Sequence, residues 1–183
     1  FTALWAPSIE STVVSEAEVV TGYSGTDLTN AGTVTTADSF TVDISDVQGD
    51  IAGTLLSVRV DGQVYENVSY EGGVITVNVD LPITLFGQKP YVAQFAGDGE
   101  NIYVNGEILF VTMKIGSEED LRAFYQVGHG AYPDAANRTG GYFVLDANIS
   151  WTAETGYSVP EHIFQGTFDG RGYAIDGATF GYT

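Results

Sequence analysis

From Ser8 to Ile115 the chain is built of short runs of Val, Thr, Ile and Tyr in which apolar and polar residues alternate, and the runs are separated by Gly, Asp and Asn. A period of two is the signature of strands with one wet face and one core face. In Ser39-Phe40-Thr41-Val42-Asp43-Ile44 every second residue is apolar, which puts Phe40, Val42 and Ile44 on one side. The same pattern predicts strands over 9–15, 18–21, 33–44, 55–60, 63–70, 74–80 and 91–96, with two late runs over 101–104 and 107–115. Asp61-Gly62, Gly72-Gly73 and Asn105-Gly106 each stand between two such runs. Asp61-Gly62 and Asn105-Gly106 supply the positive φ angles of tight hairpins, so two hairpins are expected there. Pro82 and Pro90 bracket residues 83–88, which reads as a crossing loop or edge.

About seven to nine short strands in about 110 residues is the arrangement of an immunoglobulin-like (Ig-like) antiparallel β-sandwich. At Gly116 the pattern changes. Ser117 followed by Glu118, Glu119 and Asp120 reads as a helix cap with acid in the first turn, and Leu121, Phe124 and Tyr125 follow at helical spacing. A polar loop over 128–141 comes next. Beyond it, Tyr142 to Asp146 and Phe164 to Ile175 form runs too closely spaced for another sandwich, and they look like rungs of a coil.

These last segments carry a resemblance. Ile115-Gly116-Ser117-Glu118-Glu119-Asp120-Leu121, then Tyr142-Phe143-Val144-Leu145-Asp146-Ala147-Asn148-Ile149, then Phe164-Gln165-Gly166-Thr167-Phe168-Asp169-Gly170-Arg171-Gly172-Tyr173-Ala174-Ile175 resemble the entry to right-handed parallel β-helices of large bacterial surface and secreted proteins. The resemblance implies a helix that caps the open end of the β-helix, with Phe164 and Phe168 in its core. The expected fold is therefore mainly β: an Ig-like sandwich over 1–115, followed over 116–183 by an α-helical cap and the first coil or coils of a parallel β-helix. Stacked repeats need about three units to bury a continuous core. A piece of a larger protein, or a stack completed by neighbouring chains, is the expectation that follows.

Charge narrows the partners. Twenty-four Asp and Glu stand against six Lys and Arg, for a formal net charge of −18. Such a field repels phosphate backbones and anionic membrane surfaces, so nucleic acid is excluded as a partner, and hard cations such as Ca²⁺ become candidate ligands. There are no cysteines, hence no disulfide framework or thiolate zinc site. No stretch approaches the roughly 20 apolar residues of a membrane-spanning helix.

Candidate chemistry is sparse. Asp169 would be a metal ligand or catalytic acid, or else a turn aspartate bonded to its own backbone. Asp146 and Asn148, two apart, would place two oxygens on one side of a strand as a Ca²⁺ site. His129 and His162 read as surface residues. Trp151 and Tyr157 are aromatics suited to stacking on sugar rings, and otherwise they anchor loops. Three functions compete. One is a non-catalytic segment of an extracellular adhesin or scaffold that binds a host or environmental glycan or protein. The others are a fragment of a β-helix polysaccharide-degrading enzyme, and a self-assembling fibre subunit whose segment 2–14 pairs with a neighbour's sheet edge.

Overall fold

In a computed structural model, the structure describes residues 8–9, 17–20, 39–47, 51, 53–79, 85–128, 141–152 and 166–177. The protein is mainly β, with one short helix among the described residues. It divides into two compact units, Phe1–Val19 with Ala37–Phe110, and Val20–Thr36 with Val111–Thr183.

The first unit contains β1 (Ser8–Ile9), β2 (Ala17–Val20), β3 (Ser39–Asp43), β4 (Thr54–Val60), β5 (Gln63–Tyr65), β6 (Val68–Glu71), β7 (Val74–Asn78), β8 (Gly87–Ala96) and most of β9 (Asn101–Val111). One sheet runs in the order β1-β9-β8-β4-β5, with β2 also on β9; the second runs β3-β7-β6. β3, β4, β5, β6, β7, β8 and β9 pair with one another antiparallel, whereas β1 lies parallel to β9 with Ser8 opposite Tyr103 and Ile9 opposite Val104. The predicted alternation is realised: Phe40, Val42 and Ile44 are buried while Thr41 and Asp43 are exposed. A shared core joins the two sheets. Phe40 of β3 meets Phe110 of β9 edge-on at 5.4 Å, and Tyr70 of β6 meets Phe95 of β8 at 5.1 Å. Each large side chain buried there contributes about 1.5–3 kcal/mol.

One of the two expected hairpins forms, and the break at Gly72-Gly73 is a second hairpin. Asp61 (φ 48°) and Gly62 (φ 87°) join β4 to β5, and Gly72 (φ 59°) and Gly73 (φ 85°) join β6 to β7. Asn105-Gly106 does not turn: β9 runs straight through it, with Asn105 opposite Val92 and Gly106 opposite Tyr91. The reason is lateral. A Cβ at Gly106 would stand 2.8 Å from Cζ and 2.9 Å from the hydroxyl of Tyr91, so the glycine makes room for a ring lying across the strand. The proline bracket is also narrower than expected, because β8 begins at Gly87 and includes Pro90. That residue pairs with Glu107 of β9, and on the other side its carbonyl accepts from the Asp61 amide at 3.1 Å, one position before the β4 ladder begins at Tyr91.

The second unit contains β10 (Met113–Ile115), α1 (Glu118–Gly128), β11 (Tyr142–Leu145), β12 (Ile149–Ser150), β13 (Thr167–Asp169) and β14 (Ile175–Asp176). Every pairing here is parallel: β10-β11-β13 form one ladder and β12-β14 another. Ile115, Leu121, Phe143, Leu145 and Ile149 make its core, with Met113, Phe124, Trp151 and Ile175 packed against them. The helix starts as its sequence predicts. The Asp120 amide donates to Ser117 Oγ at 3.1 Å, while Asp120 Oδ2 accepts from Ser117 Oγ at 2.8 Å and from the Gly116 amide at 3.1 Å. This reciprocal arrangement satisfies N–H groups that the first helical turn leaves without partners.

Candidate functional site

The sequence concentrates its candidate chemistry in the second unit, and the parallel ladders fix where each residue stands. The chain passes along β11, turns at residues 146–148 and continues as β12; later it repeats the course as β13, a turn at 170–174, and β14. The second pass lies beside the first. Tyr142 faces Thr167, 25 positions on, and Ile149 faces Ile175, 26 positions on, so the second pass holds one more residue than the first between the two ladders. Side chains stitch the turns together. Asn148 Oδ1 accepts from the Ala174 amide at 2.9 Å, and the Ile149 amide donates to the Ala174 carbonyl at 2.9 Å. One ladder further in, Thr112 is bound at both ends. Its amide donates to the Tyr142 carbonyl at 2.7 Å and its Oγ1 accepts from the Tyr142 amide at 3.0 Å.

Asp146 and Asn148 therefore lie in the turn between β11 and β12, not on one side of a strand as their spacing suggested. The chain bends after Leu145, where the Asp146 amide donates to the Ile115 carbonyl at 2.9 Å. The Asn148 side-chain oxygen is engaged by Ala174. Among the described residues, no three His, Asp or Glu side chains converge as a group that could hold a metal ion.

Asp169 is the turn aspartate. Its Oδ1 accepts from the Arg171 amide at 3.0 Å, closing a loop that Arg171 (φ 48°) and Gly172 (φ 79°) carry through the left-handed region. Its Oδ2 accepts from the Tyr142 hydroxyl at 3.3 Å and faces Arg171 Nε at 3.8 Å. Phe168, expected in the core, is only partly covered: it is 37% exposed at the outer strand, with one side of its ring against Phe124 at 5.3 Å. Phe124 in turn packs on Phe143 at 4.9 Å. Phe164 lies outside the described residues.

Trp151 follows β12, half-buried against the second core, and the Arg122 guanidinium lies 5.6 Å from the centre of its ring. That contact, a cation on the electron-rich ring face, was not legible from the sequence, because Arg122 sits on α1, 29 positions earlier. The same arginine donates from Nη2 to Glu118 Oε1 at 2.6 Å, and Thr152 Oγ1 donates to Glu118 Oε2 at 2.8 Å. These hydrogen bonds, Arg122 first and Thr152 second, hold the Glu118 carboxyl below its ordinary range. Glu118, Arg122, Trp151 and Thr152 thus tie the first turn of the helix to the end of β12. Tyr157, His129 and His162 lie outside the described residues, and so does most of segment 2–14. Among the described residues no helix is long and apolar enough to cross a membrane.

No family model matches the sequence, and no curated protein matches it either. Among solved structures, similarity is found to SGBP-B of the Bacteroides ovatus mixed-linkage glucan utilization locus, in complex with a mixed-linkage heptasaccharide. The identity is 13% and the TM-score 0.30, over 58% of this chain and 24% of that one. This chain spans about a quarter of that protein's length, and a likeness so slight says nothing of what this chain binds.

Proposed function

We propose that the chain is a non-catalytic segment of an extracellular bacterial surface protein, an adhesin or scaffold that binds a glycan or protein partner. In this reading the first unit is an Ig-like spacer and the second is the capped opening of a right-handed parallel β-helix. The observation that carries it is the pair of parallel ladders, in which β13-turn-β14 repeats the course of β11-turn-β12 one strand spacing away. Parallel strands joined by long connections are right-handed in nearly all cases. For the first unit, support comes from strand order. A sheet β9-β8-β4-β5 over a sheet β3-β7-β6 is the order G-F-C-C′ over B-E-D of immunoglobulin variable-type domains.

The carboxylates favour a scaffold over an enzyme because several are engaged in holding the fold. Asp120 caps α1, Glu118 is bound by Arg122 and Thr152, and Asp169 closes its turn and accepts from Tyr142. A general acid or base needs an oxygen directed at substrate and open to it. The acid excess of the whole chain suits display in water. The test is to incubate the purified chain with a panel of polysaccharides and to measure retention and the release of reducing ends together. Retention of a polysaccharide or of a surface protein without product release is the expected result. Sustained release of sugar ends by the pure chain would overturn the reading.

A further inference from the structure

In the first unit, the outward face of the larger sheet differs in composition from the rest of the surface. The register defines two rows across it. Arg59 stands between Val64 and Val92, and Val92 stands beside Asn105; in the adjacent row Ser57 stands beside Gln94, and Gln94 beside Tyr103. Their neighbours Val58, Ala93 and Val104 are fully buried, so the pleat directs both rows outward, where every member is exposed or half-buried. Neighbouring strands lie about 4.8 Å apart and successive outward residues about 6.7 Å apart along a strand. The surface they form spans β5, β4, β8 and β9.

The two rows themselves carry no acid, in a chain with 24 Asp and Glu. Around them, Asp61, Asp98 and Glu100 stand in turns at the strand ends, Glu107 follows Asn105 on the same face of β9 and is bound by Gln88, and Glu18 lies on β2 beside β9. Arg59 differs from Lys89, Arg122 and Arg171 in its surroundings. Lys89 pairs with Asp61 at 3.1 Å, Arg122 with Glu118 and Arg171 with Asp169, whereas Arg59 has no carboxylate partner among the described residues. The side chains of Gln94, Asn105 and Tyr103 likewise make no hydrogen bond among them. A fork of donors, two amides that both donate and accept, and an aromatic ring are presented together with none of their capacity used internally.

We propose that this face binds a neutral glycan chain laid across β4, β8 and β9, with Tyr103 stacking on a sugar ring and Arg59, Gln94 and Asn105 hydrogen-bonding the hydroxyls on either side. The proposal rests on the reading of the chain as a partner-binding surface segment and names the site and the ligand class. Sugar hydroxyls need partners that donate as well as accept, which amides and a guanidinium provide and carboxylates do not. A net charge of −18 disfavours a polyuronate, since its many carboxylates would meet the field of the whole chain while only Arg59 opposes it. A protein interface is built round a centre depleted of charge; here the outward valines Val64 and Val92 flank the Arg59 guanidinium, and the one ring stands beside Gln94.

The experiment is affinity electrophoresis of the full chain in gels containing soluble glucan, galactomannan, xylan or polygalacturonate, with folding of each variant checked by circular dichroism. Retention by at least one neutral polysaccharide is expected, and it should persist when salt is raised from about 50 to about 500 mM, because the contact is not ionic. Tyr103→Ala should weaken it about tenfold. Arg59→Ala and Gln94→Ala should each weaken it about three- to tenfold, and these two carry the test if Tyr103→Ala does not fold. Thr41→Ala, on the other sheet, should leave retention unchanged. Equal retention of all variants would overturn the site. Retention by polygalacturonate alone, capture of a protein in place of any glycan, or no retention at all would overturn the ligand class. The non-catalytic reading fails on a separate readout, the release of reducing ends.

Discussion

Gly106→Ala tests the account of β9 most directly, because two explanations of the same glycine predict different partners for its effect. In the structure the added methyl would stand 2.8 Å from Tyr91 Cζ, and Tyr91 is only 3% exposed, so the ring has no solvent into which to swing. Overpacking of this kind costs about 1–3 kcal/mol, partly offset by about 0.5–1 kcal/mol from removing a glycine from a strand interior. A net loss of about 1–2 kcal/mol is expected, or about 4–8 °C of melting temperature per kcal/mol for a unit of this size. Urea and thermal unfolding followed by circular dichroism measure it. The same substitution in a Tyr91→Leu background should then be neutral or slightly stabilising, which gives a coupling of about 1–2 kcal/mol between the two sites. Equal losses in both backgrounds would refute the reasoning, since they would show that Gly106 is needed for its backbone angle, as in a hairpin turn, and not for the ring beside it.

Three further outcomes follow from the second unit and its cap. Ser117→Ala removes an acceptor from the Asp120 amide and a donor to its carboxylate, and should cost about 1 kcal/mol; Ser117→Gly should cost less, and hydrogen exchange at the start of α1 reports both. Glu118 is held below its ordinary 4.5 by Arg122 and Thr152, so its contribution is present above pH 4.5 and fades as the pH falls through the lower folded value. Between about pH 5 and pH 3 the wild-type protein should lose more stability than Glu118→Gln, and parallel slopes for the two would contradict this. Asn148→Ala leaves the Ala174 amide without its acceptor and should lower stability by about 1 kcal/mol, while Asn148→Asp, which keeps an accepting oxygen, should lose less at neutral pH.

Local signals in the sequence were reliable where one residue had one task. The alternation over 39–44 placed Phe40, Val42 and Ile44 on the core side, and Ser117 opened the helix it was expected to open. Asp61-Gly62 and Asn105-Gly106 show where such signals stop. As dipeptides they are equivalent, but the first turns and the second lies flat because Tyr91, fifteen positions earlier, occupies the space a side chain would fill. No local pattern contains that contact. Trp151 is a similar case. Its ring was legible as an aromatic in a loop, whereas the guanidinium over it comes from the helix. The oxygens of Asp146 and Asn148 were legible as polar atoms two apart; that the strand ends at Leu145 and that Asn148 accepts from Ala174 depend on the second pass of the chain. The rows of Arg59, Gln94, Tyr103 and Asn105 exist only once the strand register is known.

The parallel contact of β1 with β9 has a mechanical consequence. Ser8 and Ile9 run in the same direction as Tyr103 and Val104, so the chain enters along β1 and leaves along β9 toward opposite ends of the pairing. Tension drawn through the first unit from one end to the other therefore acts along these strands, and the hydrogen bonds between them are sheared together instead of being opened one by one. A sheet joined in that way resists stretching more than a hairpin peeled from its open end.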